Sequence, residues 1–191
     1  LTGGTALSYY YLHHRFSEDF DFFTQSELDE VFLQRWAQKT AKELNADSLE
    51  FQTLQGQLVF YFHFSMEVVK IDFACYPFEH IGKFTMDNNL KISSMEDIGV
   101  NKLQALTTRR RGRDYVDLYE IITAGNMLLS DLLKKYRIKF DVHISSEEWA
   151  KYFSGILDAI DQPKFLGERK WREIELYFLD LAKEYASTVF S

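Results

Sequence analysis

The chain has one cysteine, two prolines and no long apolar run, and each scarcity closes off a class of protein. A single thiol, Cys75, can form no internal disulfide and no cysteine-based zinc site, so stability must come from packing, and a reducing cytoplasm is the expected compartment. No stretch of about 18 apolar residues is present, and no basic flank leads into an apolar segment at the start. Neither a transmembrane helix nor a signal peptide is therefore expected, and no membrane partner. Positive charge is also short. Against 29 Asp and Glu stand 22 Lys and Arg, for a formal net charge of −7. Any nucleic-acid contact would have to use a local basic patch rather than the overall field.

What is present describes a folded domain. The 191 residues are 46% apolar and 16% aromatic, enough to bury a substantial core. The sequence opens at Leu1, without an initiator methionine and just before a Gly-Gly pair, as if an upstream segment were absent.

Periodicity divides the chain into a mixed half and a helical third. Thr5 to His14 reads as a short helix after the glycines, with Thr5 as its cap. Asp19 to Thr24 alternates as a strand. Ser26-Glu-Leu-Asp29 opens an amphipathic helix carrying Leu28, Phe32, Trp36 and Leu44. Leu49–Leu54, Leu58–Phe64 and Glu67–Tyr76 are rich in Val, Phe, Tyr and Ile, with turns at Gln55-Gly56 and Ser65-Met66, and Pro77 ends the last of them. Glu79 to Asn89 reads as loop and Leu90 to Ser93 as a short strand. Ser94 caps a helix running towards Arg110, and a second helix continues from Arg113 to Ala124 after a break near Gly112. Ser130–Tyr136, Ser145–Ile160 and Lys170–Thr188 are helical, the second opened by a Ser145 to Glu148 capping box. The expected organisation is a first domain over residues 1–124 and a C-terminal helical domain over 125–191.

Three carboxylates carry the chemistry. Asp19 and Asp21 stand at i and i+2, so a strand puts both on one face and Phe20 and Phe22 on the other. Alone, that is the ordinary pattern of a strand with one wet face. Asp72 sits in the same acid-then-Phe setting, on a face shared with Lys70 and Ala74. If the two strands pair, like charges about 4 Å apart repel by roughly 4 kcal/mol even at an effective dielectric near 20. A divalent cation relieves that repulsion, and hard oxygen ligands with open positions favour Mg2+ or Mn2+. Such ions polarise the attacking and leaving oxygens of a phosphoryl displacement. Gly3-Gly4-Thr5 ahead of a helix offers backbone N–H groups to phosphate.

The order Gly-Gly-Thr-Ala-Leu-Ser, Arg15, Ser17 and Asp19-Phe-Asp21 resembles the first motif of nucleotidyltransferases of the DNA polymerase β superfamily. The wording Tyr-Leu-His-His-Arg-x-Ser-Glu-Asp-x-Asp-Phe-Phe is similar to the AbiEii/AbiGii toxins of type IV toxin–antitoxin systems. Lys102-Leu-Gln-Ala-Leu, Arg109 to Arg113 and Asp114-Tyr-Val-Asp117-Leu extend the resemblance, which spans about Leu1 to Tyr119. It implies an α+β fold: a DNA polymerase β-like nucleotidyltransferase core with a mixed sheet flanked by helices, then a C-terminal helical bundle. It also implies a lysine and an acid supplied to the site by the Lys102-to-Asp117 segment. On a continuous helix Lys102, Arg109 and Arg113, at i, i+7 and i+11, would align.

The expected roles follow. Asp19 and Asp21 ligate metal, and Asp72 completes the site or receives the acceptor hydroxyl's proton. Lys102 and Arg113 neutralise triphosphate charge, and Asp117 or Asp114 orients Lys102 or Arg113. Gly3, Gly4, Thr5, Arg15 and Ser17 join Arg113 and Asp114 in the nucleotide and phosphate site. Asp114 and Asp117 could alternatively pair locally with Arg110 and Arg113. His13 and His14 read as helix-end residues, Cys75 as a small core residue and the tyrosine run as packing.

The expected function is transfer of a nucleotide from an NTP to an acceptor hydroxyl on RNA, plausibly tRNA, by a toxin with a cognate antitoxin. Transfer to a small molecule or protein is one alternative, and non-catalytic nucleotide or RNA binding another.

Overall fold

A computed structural model describes residues 1–187. The first helix, α1 (Gly3–Ala6), runs on as a π-helical segment over Leu7–Leu12. It closes with the His13 N–H donating to the Ser8 carbonyl at 3.0 Å and His13 in the left-handed region, φ 46°. Strand β1 (Asp19–Thr24) follows, then α2 (Glu30–Glu43), β2 (Ser48–Leu54), β3 (Gln57–Phe64), β4 (Glu67–Cys75) and the hairpin β5 (Thr85–Asp87) and β6 (Leu90–Ile92). The helices α3 (Met95–Thr108), α4 (Gly112–Thr123), α5 (Leu129–Phe140), α6 (Ser146–Ser154) and α7 (Trp171–Ser187) complete the fold, with a 3-10 turn over Gly155–Asp158. The last residue expected for the final helix, Thr188, lies outside the described residues.

The main sheet has the order β1-β4-β3-β2, with β1 parallel to β4 and the other two pairs antiparallel. Alternation along β1 and β4 then sorts the side chains. Phe22 stacks on Phe73 at 5.2 Å, and Phe73 meets Trp36 of α2 edge-on at 5.4 Å. That face packs with Ala37, Leu58, Phe60 and Phe62 into one apolar cluster. The opposite face carries the acids. A larger cluster runs from Ala6 and Leu7 through Leu103, Tyr115 and Leu118 to Trp149, Phe153 and Phe178, so α1, α3 and α4 share their core with α6 and α7.

Several local expectations need correction. The helix at the start begins at Gly3, and Thr5 does not cap it: its hydroxyl donates to the Asp19 carbonyl and lies 2.9 Å from the Ser17 hydroxyl. Asp29 rather than Ser26 caps α2, accepting from the Phe32 N–H at 2.9 Å. Residues 85–87, expected as loop, pair with β6. The break expected near Gly112 is present, so Lys102, Arg109 and Arg113 do not share one helix. α3 ends at Thr108, Arg109 is extended (φ −150°, ψ 161°), and α4 starts at Gly112. The Ser94 cap and the Ser145 capping box form as read, Ser94 through its hydroxyl and Ser145 with both reciprocal bonds.

Candidate active site

The parallel register opposes Asp21 to Asp72 and Asp19 to Lys70, which brings the three acids onto adjacent strands of one face. They line a polar cavity of about 260 Å³ together with Gly4, Ser17, Lys102, Arg109 and Arg113. A neighbouring cavity of about 170 Å³ shares Asp21, Asp72, Lys102 and Arg109 and is walled by Thr2 and Gly3.

Each acid has a different environment. Both oxygens of Asp72 accept from the Gln57 amide, at 2.7 and 2.6 Å. Lys70 Nζ lies 3.5 Å from Asp19 Oδ2 and 3.6 Å from Asp72 Oδ2, and Arg113 Nη1 lies 3.6 Å from Asp19 Oδ2. Burial pushes the Asp21 carboxyl up to about 6, the charges of Asp72 and Asp19 adding to the effect while Lys102 opposes it. Among the described residues no group of three His, Cys, Asp or Glu side chains stands in a metal-holding arrangement. The donor set is nonetheless of the right chemistry for a hard divalent ion, being all carboxylate oxygen.

The start of α1 closes over this face. Thr2 N–H donates to the Asp21 carbonyl at 2.8 Å, which draws the Gly-Gly turn against β1. Gly3 has φ 71°, and a Cβ there would fall 2.2 Å from Asp21 Oδ2. A Cβ on Gly4 would fall 2.0 Å from Arg15 Nη2 and 3.1 Å from Ser17 Oγ. No side chain caps the first turn of the helix. The two glycines are thus required by close approach, and they leave the turn within reach of the carboxylates.

Behind the cavity lies a buried charge network. Asp117 is fully buried and receives Arg15 Nε at 2.6 Å, Arg15 Nη2 at 2.8 Å, Lys102 Nζ at 2.6 Å and His14 Nε2 at 2.7 Å. Asp114, also fully buried, receives Lys102 Nζ and Arg109 Nε, each at 2.7 Å. Burial opposes the charge on Asp117, but Lys102 and Arg15 outweigh it and hold its carboxyl well below the usual range. Asp114 is lowered for the same reason by Lys102 and Arg109, and Lys102 in turn is raised by both acids against its own burial.

The predicted residues therefore separate into two layers. Asp19, Asp21, Asp72, Lys102 and Arg113 line the polar cavity with Gly4 and Ser17, Gly3 walls the neighbouring one, and Thr5 lines neither, its hydroxyl being turned to Ser17 and the Asp19 carbonyl. Arg15 and Asp117 are buried and bound to each other, so Arg15, which also lines the polar cavity, holds the loop before β1 against α4. Asp114 and Asp117 pair with Lys102, Arg109 and Arg15 and not with Arg110 or Arg113. Arg113 turns towards Asp19 and Asp161, the latter 3.7 Å away.

Three residues at the site had no assigned role in the sequence reading, Gln57, Lys70 and Asp161, and His14, read as a helix-end residue, bonds Asp117. Lys70 carried a usable signal, since it shares a strand face with Asp72. Asp161, in the irregular segment between α6 and α7, accepts the Gly112 N–H at 2.6 Å and carried none.

Solved structures of similar fold include JHP933 from Helicobacter pylori and a proposed nucleotidyltransferase from H. pylori. Each is 20% identical, with a TM-score of 0.60 over 98% of this chain and over 83% and 86% of theirs, respectively. The fold is therefore that of the nucleotidyltransferases. At the level of sequence, the protein aq_aa25 of Aquifex aeolicus (strain VF5) is 31% identical over 194 residues, covering 97% of this chain and 86% of that protein. The family model described as nucleotidyl transferase AbiEii toxin, type IV TA system, matches residues 1–184. The chain belongs to that family, and as a nucleotidyltransferase toxin it has a nucleotide substrate and a cognate antitoxin. No helix among the described residues is long and apolar enough to cross a membrane.

Proposed function

We propose that the protein transfers a nucleoside monophosphate from an NTP to a hydroxyl of RNA, plausibly tRNA, in a divalent-metal-dependent reaction in the cytoplasm. The observation that carries the chemistry is the register of Asp21 against Asp72, which aims acids from two strands into one cavity facing Lys102, Arg109 and Arg113. The acceptor oxygen bonds to the α-phosphorus, the α–β phosphoanhydride bond breaks, and pyrophosphate leaves with the electron pair. Asp19 and Asp21 with Asp72 would hold Mg2+ or Mn2+, which would supply charge neutralisation for that displacement.

The chain's own groups supply the rest. Asp72 is held by Gln57 in an orientation suited to accept the acceptor hydroxyl's proton. Lys102, fixed by Asp114 and Asp117, presents a positioned charge to the triphosphate, and Arg113 is free to exchange Asp19 for phosphate. The Gly3-Gly4 turn offers backbone N–H groups to phosphate oxygens. Asp117 acts through Lys102 and Arg15 as a positioning residue. The choice of RNA rests on Arg109, Arg111 and Arg113, which line the cavity as a local basic patch on an acidic protein.

Incubation with each labelled NTP, Mg2+ and total RNA tests the reading. Label should enter RNA and vanish with Asp21→Ala or on chelation. Label on protein or small molecules alone would replace RNA with the alternative acceptor.

A further inference from the structure

Among the described residues, Lys70 is the one cation within 4 Å of two of the three carboxylates proposed to hold metal. It reaches them because β1 and β4 run parallel with Asp19 opposite Lys70, while the period of two along β4 returns Asp72 to the same face. Its ammonium lies 3.5 Å from Asp19 and 3.6 Å from Asp72, longer than a tight charge-assisted hydrogen bond. Arg113 also lies 3.6 Å from Asp19, but it is shared with Asp161 at 3.7 Å and does not reach Asp72; the two remaining cations that face Asp21 are committed. Lys102 is bonded at 2.7 and 2.6 Å to Asp114 and Asp117, and Arg109 is bonded to Asp114. Lys70 makes no such bond, its side chain is 28% exposed, and its flexible stem can carry the charge away from the strand.

A divalent ion bonds carboxylate oxygens at about 2.0–2.2 Å and would compete with this ammonium for the same lone pairs and the same local charge. A triphosphate, by contrast, offers the ammonium new anionic partners a short swing away.

From this geometry we infer that Lys70 is an exchangeable counter-cation that couples metal entry to nucleotide entry. It holds Asp19 and Asp72 before the substrate arrives, then passes to the triphosphate as the metal takes the carboxylates. The inference rests on the metal-dependent reading above. It makes Lys70 a positioning residue that disfavours metal without nucleotide, and by linkage strengthens each ligand's binding in the presence of the other.

The test measures free Mn2+ by electron paramagnetic resonance with wild-type protein, Lys70→Met and Lys70→Arg, each with and without a non-hydrolysable α,β-methylene NTP. Without nucleotide, Lys70→Met should bind Mn2+ roughly tenfold more tightly than wild type, the size of a modest Coulomb term between partly solvated charges. Lys70→Arg should stay near wild type. The nucleotide analogue should tighten Mn2+ binding more in wild type than in Lys70→Met. Equal or weaker Mn2+ binding by Lys70→Met without nucleotide overturns the inference, provided Asp21→Ala abolishes that binding. If Asp21→Ala leaves Mn2+ binding intact, the metal reading itself fails and the inference falls with it. Circular dichroism and urea unfolding identify a variant that has lost the fold, in which case Lys70→Gln takes its place.

Discussion

The guanidinium of Arg15 fills the space that a side chain on Gly4 would need, with Nη2 2.0 Å from the ideal Cβ position. A flexible arginine could normally move aside. This one is 3% exposed and fixed at three points: Nε and Nη2 on Asp117, and Nη1 on the Phe16 carbonyl at 2.8 Å. Gly4→Ala should therefore strain the network and lower stability by about 1–3 kcal/mol, as overpacking does. Gly56→Ala is the comparison. Gly56 has φ 71° but nothing within 4 Å, so it should cost only the conformational term of about 1 kcal/mol. Urea unfolding of both variants checks the order. A Gly4→Ala protein as stable as wild type would show that Arg15 is not fixed.

The two buried acids of the network should not be equivalent. Asp117→Asn leaves Arg15 buried without a carboxylate and is expected to cost about 3–5 kcal/mol, the usual effect of stranding a buried charge. Asp114→Asn should cost less. Lys102 keeps Asp117, and the Arg109 side chain is 46% exposed and can return to water. Equilibrium unfolding of the two variants settles the ranking, and a larger loss for Asp114→Asn would contradict it.

The line between legible and illegible features follows interaction range. Strand alternation put Asp19, Asp21, Lys70 and Asp72 on defined faces because the period of two is local. Their meeting in one cavity depends on the parallel pairing of β1 with β4, a contact across an intervening helix and two strands, and it entered the reading only as a condition. The depth of Arg15 and Asp117 had no local sign at all. Charged residues are seldom fully buried, and only the tertiary arrangement of α1, α3 and α4 supplies their partners. The break between the helices at the Arg-Arg-Arg-Gly run was legible from Gly112, but its cause was not: the Asp161 backbone crosses there, within 1.9 Å of where a Gly112 Cβ would lie, so only glycine fits at the start of α4.

That crossing gives Asp161 two separable jobs. Its carboxylate caps α4 from outside the helix through the Gly112 N–H, and its charge attracts Arg113 at 3.7 Å. Asp161→Asn keeps an acceptor for the N–H and removes only the charge of a half-exposed pair, so stability should change little. Asp161→Ala removes the cap and should cost about 1 kcal/mol. Thermal and urea unfolding of the pair provide the check, and equal stability of the two variants would remove the capping role.

Asp21 makes the stability of the protein depend on pH with a sign opposite to that of Asp114 and Asp117. Burial raises its pKa to about 6 from 3.8, so the fold favours the protonated acid. The stability this contributes is fully present below about pH 4 and is lost as pH rises through 6. Asp114 and Asp117 are lowered instead, so what they contribute is lost only as the solution becomes more acidic than the ordinary carboxylate range. Asp21→Asn should therefore match wild type near pH 4 and exceed it above pH 6. The gain should be up to about 3 kcal/mol in EDTA, at roughly 1.4 kcal/mol per pKa unit. Both proteins should share the same acid limb. On the metal-dependent reading, Mg2+ or Mn2+ at pH 7 should stabilise wild type and leave Asp21→Asn little changed, since the ion neutralises the carboxylate that the fold otherwise disfavours. Urea unfolding from pH 4 to 8, with EDTA and with Mn2+, measures both effects. Parallel pH profiles for the two proteins in EDTA would mean that Asp21 ionises in the fold as easily as it does in water.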